Sequence, residues 1–287
     1  MICRPEQLLE AEYGNMNNIR ISDRFLLFNC REDHSLCALT HRGIGCREMK
    51  KLFIVKTGTT FFSTLDRYGD FDTWVREGLG QVGPPLSVVD VVRGETLPAA
   101  GECCGVVVTG SHAMVTDNLP WSVTIEKWIP SLIESCVPFL GICYGHQLLG
   151  RAMGGEVGYH PLGEEIGTVA VELTAEGFAD PLFSGVSASF NAHTTHAQSV
   201  LSLPPGSKRL AWNSHDPNHA FRVGGCAWGV QFHPEYRAAV MKAYIEAQSL
   251  ELSVSGRNPA MLLRDVQDTP QAGLTLLNFT RIVADSV

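Results

Sequence analysis

Residues 137–147, Val-Pro-Phe-Leu-Gly-Ile-Cys-Tyr-Gly-His-Gln, confine this stretch of chain to one local shape. The apolar run 137–142 has the length and composition of a buried strand, and it stops at Cys143. The run Gly145-His146-Gln147-Leu148-Leu149-Gly150 then reads as the opening of a helix. Gly141 and Gly145 flank Cys143 symmetrically, the spacing of a nucleophile elbow, in which small neighbours permit a sharp, strained turn with a projecting side chain. A thiol at that apex faces the positive end of the following helix, which favours the thiolate.

The rest of the chain alternates in the same manner from Met49 onward, where Met-Lys-Lys-Leu-Phe-Ile-Val-Lys opens a first buried strand. Strands are expected at 52–56, 86–92, 105–109 and 137–142, with helices at 71–79 and 122–135 between them. In the second of these helices Trp121, Ile125, Trp128, Ile129 and Leu132 share an apolar face. The second half is richer in β-type runs, at 168–173, 189–193, 209–212, 220–223 and 227–232, before helices return at 238–248 and around 274–284. This order predicts an α/β fold, an open and mostly parallel sheet flanked by helices, with ligands bound at the carboxyl ends of its strands. Gly110 and Cys143 both follow predicted strands directly and are expected to share one crevice.

Composition narrows the function classes. The chain has 287 residues, a net charge of −8 and no basic cluster, which argues against nucleic acid as a direct partner. No apolar run approaches the roughly 18 residues of a membrane span, and the N-terminus lacks a basic-then-apolar signal pattern. Nine cysteines without framework spacing fit a reducing compartment, so a cytoplasmic location and no membrane association are expected. Residues 1–48 differ from the rest, with four cysteines, six arginines and no lysine. They read as an extension, disordered or not native, ahead of one domain over 49–287. Cys30, His34, Cys37, His41 and Cys46 lie close together there, but without paired Cys-x-x-Cys or regular ligand spacing, so no metal is expected. Cys103, Cys104, Cys136 and Cys226 adjoin apolar runs and read as small buried hydrophobes.

A cysteine nucleophile needs a base and a group that orients the base. The informative histidine is His233 in Trp228-Gly229-Val230-Gln231-Phe232-His233-Pro234-Glu235, where an apolar strand ends and a carboxylate follows two residues on. Pro234 fixes the local backbone, so the loop can hold His233 and Glu235 in a set relation. By itself this tripeptide reads better as a strand end beside a solvated acid.

Together, Gly-Ile-Cys-Tyr-Gly-His-Gln at 141–147 and Gly-Val-Gln-Phe-His-Pro-Glu at 229–235 resemble the class I, triad-type glutamine amidotransferases, and the resemblance covers Met49 to the C-terminus. It implies a three-layer, flavodoxin-like fold and hydrolysis of glutamine's side-chain amide through a γ-glutamyl thioester. It further implies ammonia delivery to a separate synthetase, with no cofactor. On this resemblance Cys143 is the nucleophile, His233 the general base and acid, and Glu235 the orienting carboxylate. The oxyanion donors are the backbone N–H groups of Tyr144 and Gly110, although Thr109-Gly110-Ser111-His112 stands where many relatives carry two glycines and a proline. Gly163-Glu164-Glu165-Ile166-Gly167 and Ala220-Phe221-Arg222 are similar to the branch containing the amidotransferase part of GMP synthetase. That branch holds the glutamine amino end with a His-x-Asp-x-Val segment, matched here by His196-Ala197-Gln198-Ser199-Val200. Gln198 thus replaces an acid and offers an ammonium a weaker, uncharged acceptor. Gln147, His196 and Gln198 are the expected substrate contacts, while His112 and His146 are given no catalytic role. The alternatives are a γ-glutamyl peptidase or hydrolase, and a non-catalytic binding protein on the same scaffold.

Overall fold

The protein's structure is a computed structural model that describes residues 49–81 and 83–286. The extension over 1–48 and the cysteine–histidine run within it lie outside the described residues. In chain order the elements are β1 (Lys51–Lys56), α1 (Phe62–Tyr68), α2 (Phe71–Leu79), β2 (Leu86–Asp90), β3 (Cys103–Val108), α3 (Pro120–Glu134), β4 (Phe139–Ile142) and α4 (Tyr144–Ala152). There follow β5 (Glu156–Tyr159), β6 (Glu165–Leu173), α5 (Ala175–Phe178), β7 (Ser189–His196), β8 (Gln198–Ser202), β9 (Lys208–Trp212), β10 (Ala220–Val223) and β11 (Ala227–Val230). The chain ends in α6 (Ala238–Ala247), α7 (Ser249–Val254), α8 (Pro259–Asp265) and α9 (Pro270–Asp285).

One sheet runs in the order β2-β1-β3-β4-β11-β10-β9-β6-β7. Strands β2, β1, β3, β4 and β11 are mutually parallel. From β11 to β7 every pairing is antiparallel, so the expectation of a mostly parallel sheet describes one half of it. A separate ribbon pairs β5 with β8. The inner parallel strands β1, β3, β4 and β11 are apolar on both faces, as a sheet covered by helices requires. Leu52 and Ile54 of β1, Leu140 and Ile142 of β4, and Trp228 and Val230 of β11 pack into a core with Val75 and Leu79 of α2 and Leu276 and Phe279 of α9. Their sequence neighbours Phe53, Val55 and Phe139 turn to the other face, against Ile125, Ile129 and Leu132 of α3 and Leu148 and Leu149 of α4. Each fully buried side chain of this size contributes about 1.5–3 kcal/mol relative to exposure.

Several boundaries differ from the sequence expectation. The strand expected over 86–92 ends at Asp90, whose carboxylate accepts from Arg93 N at 3.2 Å and starts a 3-10 turn. The strand expected over 227–232 ends at Val230, although Gln231 N still donates to His219 O at 2.8 Å in register with the β10–β11 pairing. Helix α1 and the β5–β8 ribbon were not anticipated, since neither has a clear apolar period. Of the cysteines read as buried, Cys103 and Cys104 are so, within β3, whereas Cys136 is exposed and Cys226 only half-buried. Cys136 falls in the turn between α3 and β4 at φ +54°, where its N–H donates to Ile133 O. Among the described residues no helix is long and apolar enough to cross a membrane.

Candidate active site

The three loops that carry the sequence signals leave neighbouring parallel strands. Gly110 follows β3, Cys143 follows β4 and His233 follows β11, and the order β3-β4-β11 puts β4 in the middle. Register aligns them, with Val108 opposite Gly141 and Gly141 opposite Gly229. All three loops therefore emerge at one edge, where open α/β sheets bind ligands.

The turn at Cys143 is as tight as its glycines imply. Cys143 has φ +49° and ψ −96°, outside the regions comfortable for a side-chain-bearing residue, and is buried to 6% exposure. A Cβ on Gly141 would lie 2.3 Å from Gly145 O, and one on Gly145 would lie 2.5 Å from Val108 O. Only glycine fits at either position. The thiol faces Thr195 O at 3.9 Å, and Cys143 O accepts from Gln147 N in the first turn of α4. Tyr144 directs its phenol away, hydrogen-bonding Ser122 Oγ at 2.6 Å, so only its backbone belongs to the turn's apex.

His233 and Glu235 form a buried pair, Nδ1 to Oε1 at 2.8 Å, and His233 N donates to His193 O at 2.8 Å. Burial alone would lower the His233 pKa, but the Glu235 carboxylate and the sulfur of Cys143 beside it outweigh this and raise it to about 10. Among the described residues His233 Nε2 has no hydrogen-bond partner. Gly110 fills the space between histidine and thiol with nothing. A Cβ there would lie 3.0 Å from His233 Cε1 and 3.8 Å from Cys143 Cβ. The peptide planes around Gly110 are fixed by Thr57, whose hydroxyl lies 3.1 Å from Thr109 O and 2.8 Å from Gly110 O.

A cavity of about 380 Å³ opens onto this point, and Cys143, Tyr144, Gln147, His196, Gln198 and His233 all line it. Glu235 lies behind it, lining a second hollow with Trp74 and Arg237. The three expected substrate contacts are already engaged with protein partners. Gln147 Nε2 donates to Gln198 O at 2.7 Å and to Gln231 Oε1 at 3.2 Å. Gln198 uses its amide on Thr116, donating to Oγ1 at 2.6 Å and accepting from N at 3.4 Å. Both ring nitrogens of His196 face oxygen acceptors, Glu165 Oε2 at 3.2 Å and Gln198 O at 3.0 Å.

The family follows from comparison. The model for the family described as "Glutamine amidotransferase class-I" matches residues 64–252. This chain belongs to that family. Among similar class-I proteins, a glutamine-hydrolysing GMP synthase from Aeropyrum pernix is 37% identical over 153 residues, 53% of this chain and 27% of that protein. One of the subunits of the glutamine-hydrolysing GMP synthase from Ignicoccus hospitalis is 41% identical over 119 residues, 41% of this chain and 61% of that protein. The chain thus spans about a quarter of the full-length synthase it matches. A crystal structure of a glutamine amidotransferase from Thermotoga maritima aligns with a TM-score of 0.64 at 25% identity, covering 82% of this chain and 98% of that one.

One buried cluster was not anticipated as a unit. Glu165 Oε2 meets both His196 Nε2 at 3.2 Å and His219 Nε2 at 3.0 Å, while Glu165 Oε1 accepts from Asn213 Nδ2 at 2.7 Å. Burial would raise the Glu165 pKa, but these hydrogen bonds hold it far below the ordinary carboxylate range. Two histidines and a carboxylate are metal-ligand types, and their donor atoms lie within 4.8 Å of one another. The contacts are nevertheless imidazole–carboxylate hydrogen bonds, and His219 Nδ1, which a metal-bound imidazole would aim at an acceptor, has none among the described residues. Glu165 was visible in the sequence only as part of Gly163–Gly167, with no spacing to link it to His196 and His219.

Proposed function

We propose that the chain is a cysteine-dependent glutaminase of the amidotransferase type, supplying ammonia to a separate synthetase. The observation that carries this reading is the strained Cys143 turn on β4 beside the His233–Glu235 pair from β11, with Gly110 leaving the gap between them open. The Cys143 thiolate attacks the side-chain amide carbon. The oxyanion takes backbone N–H donors from Tyr144, at the start of α4, and from the Gly110 loop, whose planes Thr57 holds. His233 passes its proton to the nitrogen as the C–N bond breaks, and Glu235 supports the imidazolium throughout. Water, deprotonated by His233, then opens the γ-glutamyl thioester to glutamate and restores the thiolate.

Gln147 and the Thr195–Gln198 segment bound the γ-glutamyl end of the cavity. His196, held between Glu165 and Gln198, positions that segment. The separate synthetase is supported by relatives whose names make them one of the subunits of a GMP synthase. Treatment with a glutamine-like electrophile and peptide mapping by mass spectrometry tests the core of the reading. The adduct is expected on Cys143 and absent from Cys143→Ala; labelling at another residue, or ammonia release that survives Cys143→Ala, overturns it.

A further inference from the structure

If Cys143 acts as above, one wall of the cavity is left without a task. Ammonia is small and polar and gains nothing from apolar surroundings. Beside His233, which delivers the proton to the departing nitrogen, the cavity is nevertheless walled by rings. Tyr236 stacks on the His233 imidazole, with centroids 4.1 Å apart and planes 20° from parallel. Tyr236 meets Tyr244 at 5.1 Å, and Tyr244 meets Phe61 at 5.1 Å. Phe61 in turn lies against His112 at 4.4 Å, and Phe71 meets His112 edge-on at 5.9 Å. These five line the same cavity as Cys143. Core packing accounts for Phe71, Tyr236 and Tyr244, which are buried against α6. Phe61 packs against that same cluster yet stays half-buried, and His112 is exposed, so both keep ring surface at the cavity.

The cavity therefore combines two kinds of surface around the thiol. Gln147, Ala197 and Gln198 line it with backbone and amide groups, these rings line it with aromatic faces, and Glu164, Gln248 and Glu251 line it as well. A volume of about 380 Å³ falls within the roughly 300–1,000 Å³ of clefts that enclose whole drug-sized ligands. We propose that the site takes γ-glutamyl amides whose leaving amine carries an aromatic or other apolar group, seated on Phe61, His112 and Tyr244. The proposal rests on the Cys143 thioester chemistry alone and stands in place of ammonia delivery to a synthetase, because what departs is an amine. The thiolate adds to the γ-carbonyl carbon, the C–N bond breaks, and the amine leaves as neutral R–NH2 with the proton from His233. Water then cleaves the thioester, so the sum is amide plus water to glutamate plus amine.

The test compares kcat/KM for γ-glutamylanilide and for glutamine on the full chain, with the electrophile label on Cys143 as a parallel readout. The anilide is expected to be preferred by about tenfold or more, the scale on which an apolar pocket discriminates. Phe61→Ala is expected to cut that anilide-to-glutamine ratio by about tenfold. The exposed His112→Ala should lower it in the same direction, and it serves where the Phe61 variant does not fold. A labelled Cys143 with a wild-type ratio at or below one, or a ratio that both variants leave unchanged, overturns the aromatic subsite while the nucleophile stands. Absence of any label on Cys143 instead removes the reading beneath it.

Discussion

At the scale of single residues, the site depends on what is absent at Gly110 and on what surrounds His233. The space a Cβ would take at Gly110 is bounded by His233 Cε1 at 3.0 Å, so Gly110→Ala must push the imidazole off its line to Cys143. A 1 Å misplacement of a reacting group costs about 100-fold, so in the proposed reaction a shift of a few tenths of an ångström is expected to lower kcat by up to about tenfold. Tm should move little, because the φ of Gly110 is not one that requires glycine. Steady-state kinetics beside thermal unfolding checks both halves of that expectation. For His233 the raised pKa of about 10 sets the sign of a pH effect. A histidine whose folded pKa lies above its unfolded value contributes stability that is complete below about 6.5 and is lost as pH rises toward 10. In the proposed reaction the same imidazolium is the proton donor, so activity should hold through neutral pH and fall on an alkaline limb near 10. Glu235→Gln removes the charge that Oε1 presents to Nδ1 at 2.8 Å, and should move that limb down in pH. A pH–rate profile of each protein measures it, and an unmoved limb would assign the ionisation to another group.

At the scale of elements, the strand–turn–helix unit of β4 and α4 was the most legible part of the chain, because its constraint is local. Two glycines and a cysteine at fixed spacing leave a backbone few conformations, and tertiary context had only to supply the neighbour at Val108. The same close packing predicts the effect of losing either glycine. On Gly141→Ala the new methyl would meet the carbonyl of Gly145 at 2.3 Å and the nitrogen of His146 at 2.7 Å, both backbone atoms that cannot turn aside. Overpacking of a rigid site is destabilising by about 1–3 kcal/mol, occasionally more, and the upper end is expected where backbone meets methyl. Urea unfolding of Gly141→Ala checks it, and a loss below about 1 kcal/mol would show that the turn can open without strain. What the sequence did not disclose depends on pairing across long separations. Glu165, His196 and His219 meet only because β6, β7 and the approach to β10 converge, and nothing in their spacing of 31 and 54 residues marks them as partners. The aromatic wall is similar. Phe61, His112 and Tyr244 come from a loop, another loop and a helix, and become one surface only through the fold.

At the scale of the whole molecule, the antiparallel half of the sheet holds the floor of the cavity through that buried cluster. Glu165 opens β6, His196 closes β7, His219 precedes β10, and Asn213 follows β9, so a single carboxylate ties together four separate segments. His196 passes the constraint on to Gln198, which also receives Gln147 from α4 in the parallel half. The carboxylate is thus the point at which the two halves of the sheet are coupled near the site. Its pKa is depressed, so its contribution is present above the ordinary carboxylate range and is lost as pH falls through the lower, folded value. Asp216, buried nearby with its own pKa lowered, acts in the same direction. Removing one partner from a buried, hydrogen-bonded cluster of this kind is destabilising by about 3–5 kcal/mol. Glu165→Gln keeps the shape but cannot titrate, so wild type should exceed it by that amount near pH 7. The difference should narrow steadily as pH is lowered below about 4. Urea unfolding of both proteins across that range measures it. A stability gap independent of pH would mean that Glu165 works through its shape and hydrogen bonds alone. A gap confined to acid pH would reverse the sign assigned to its charge.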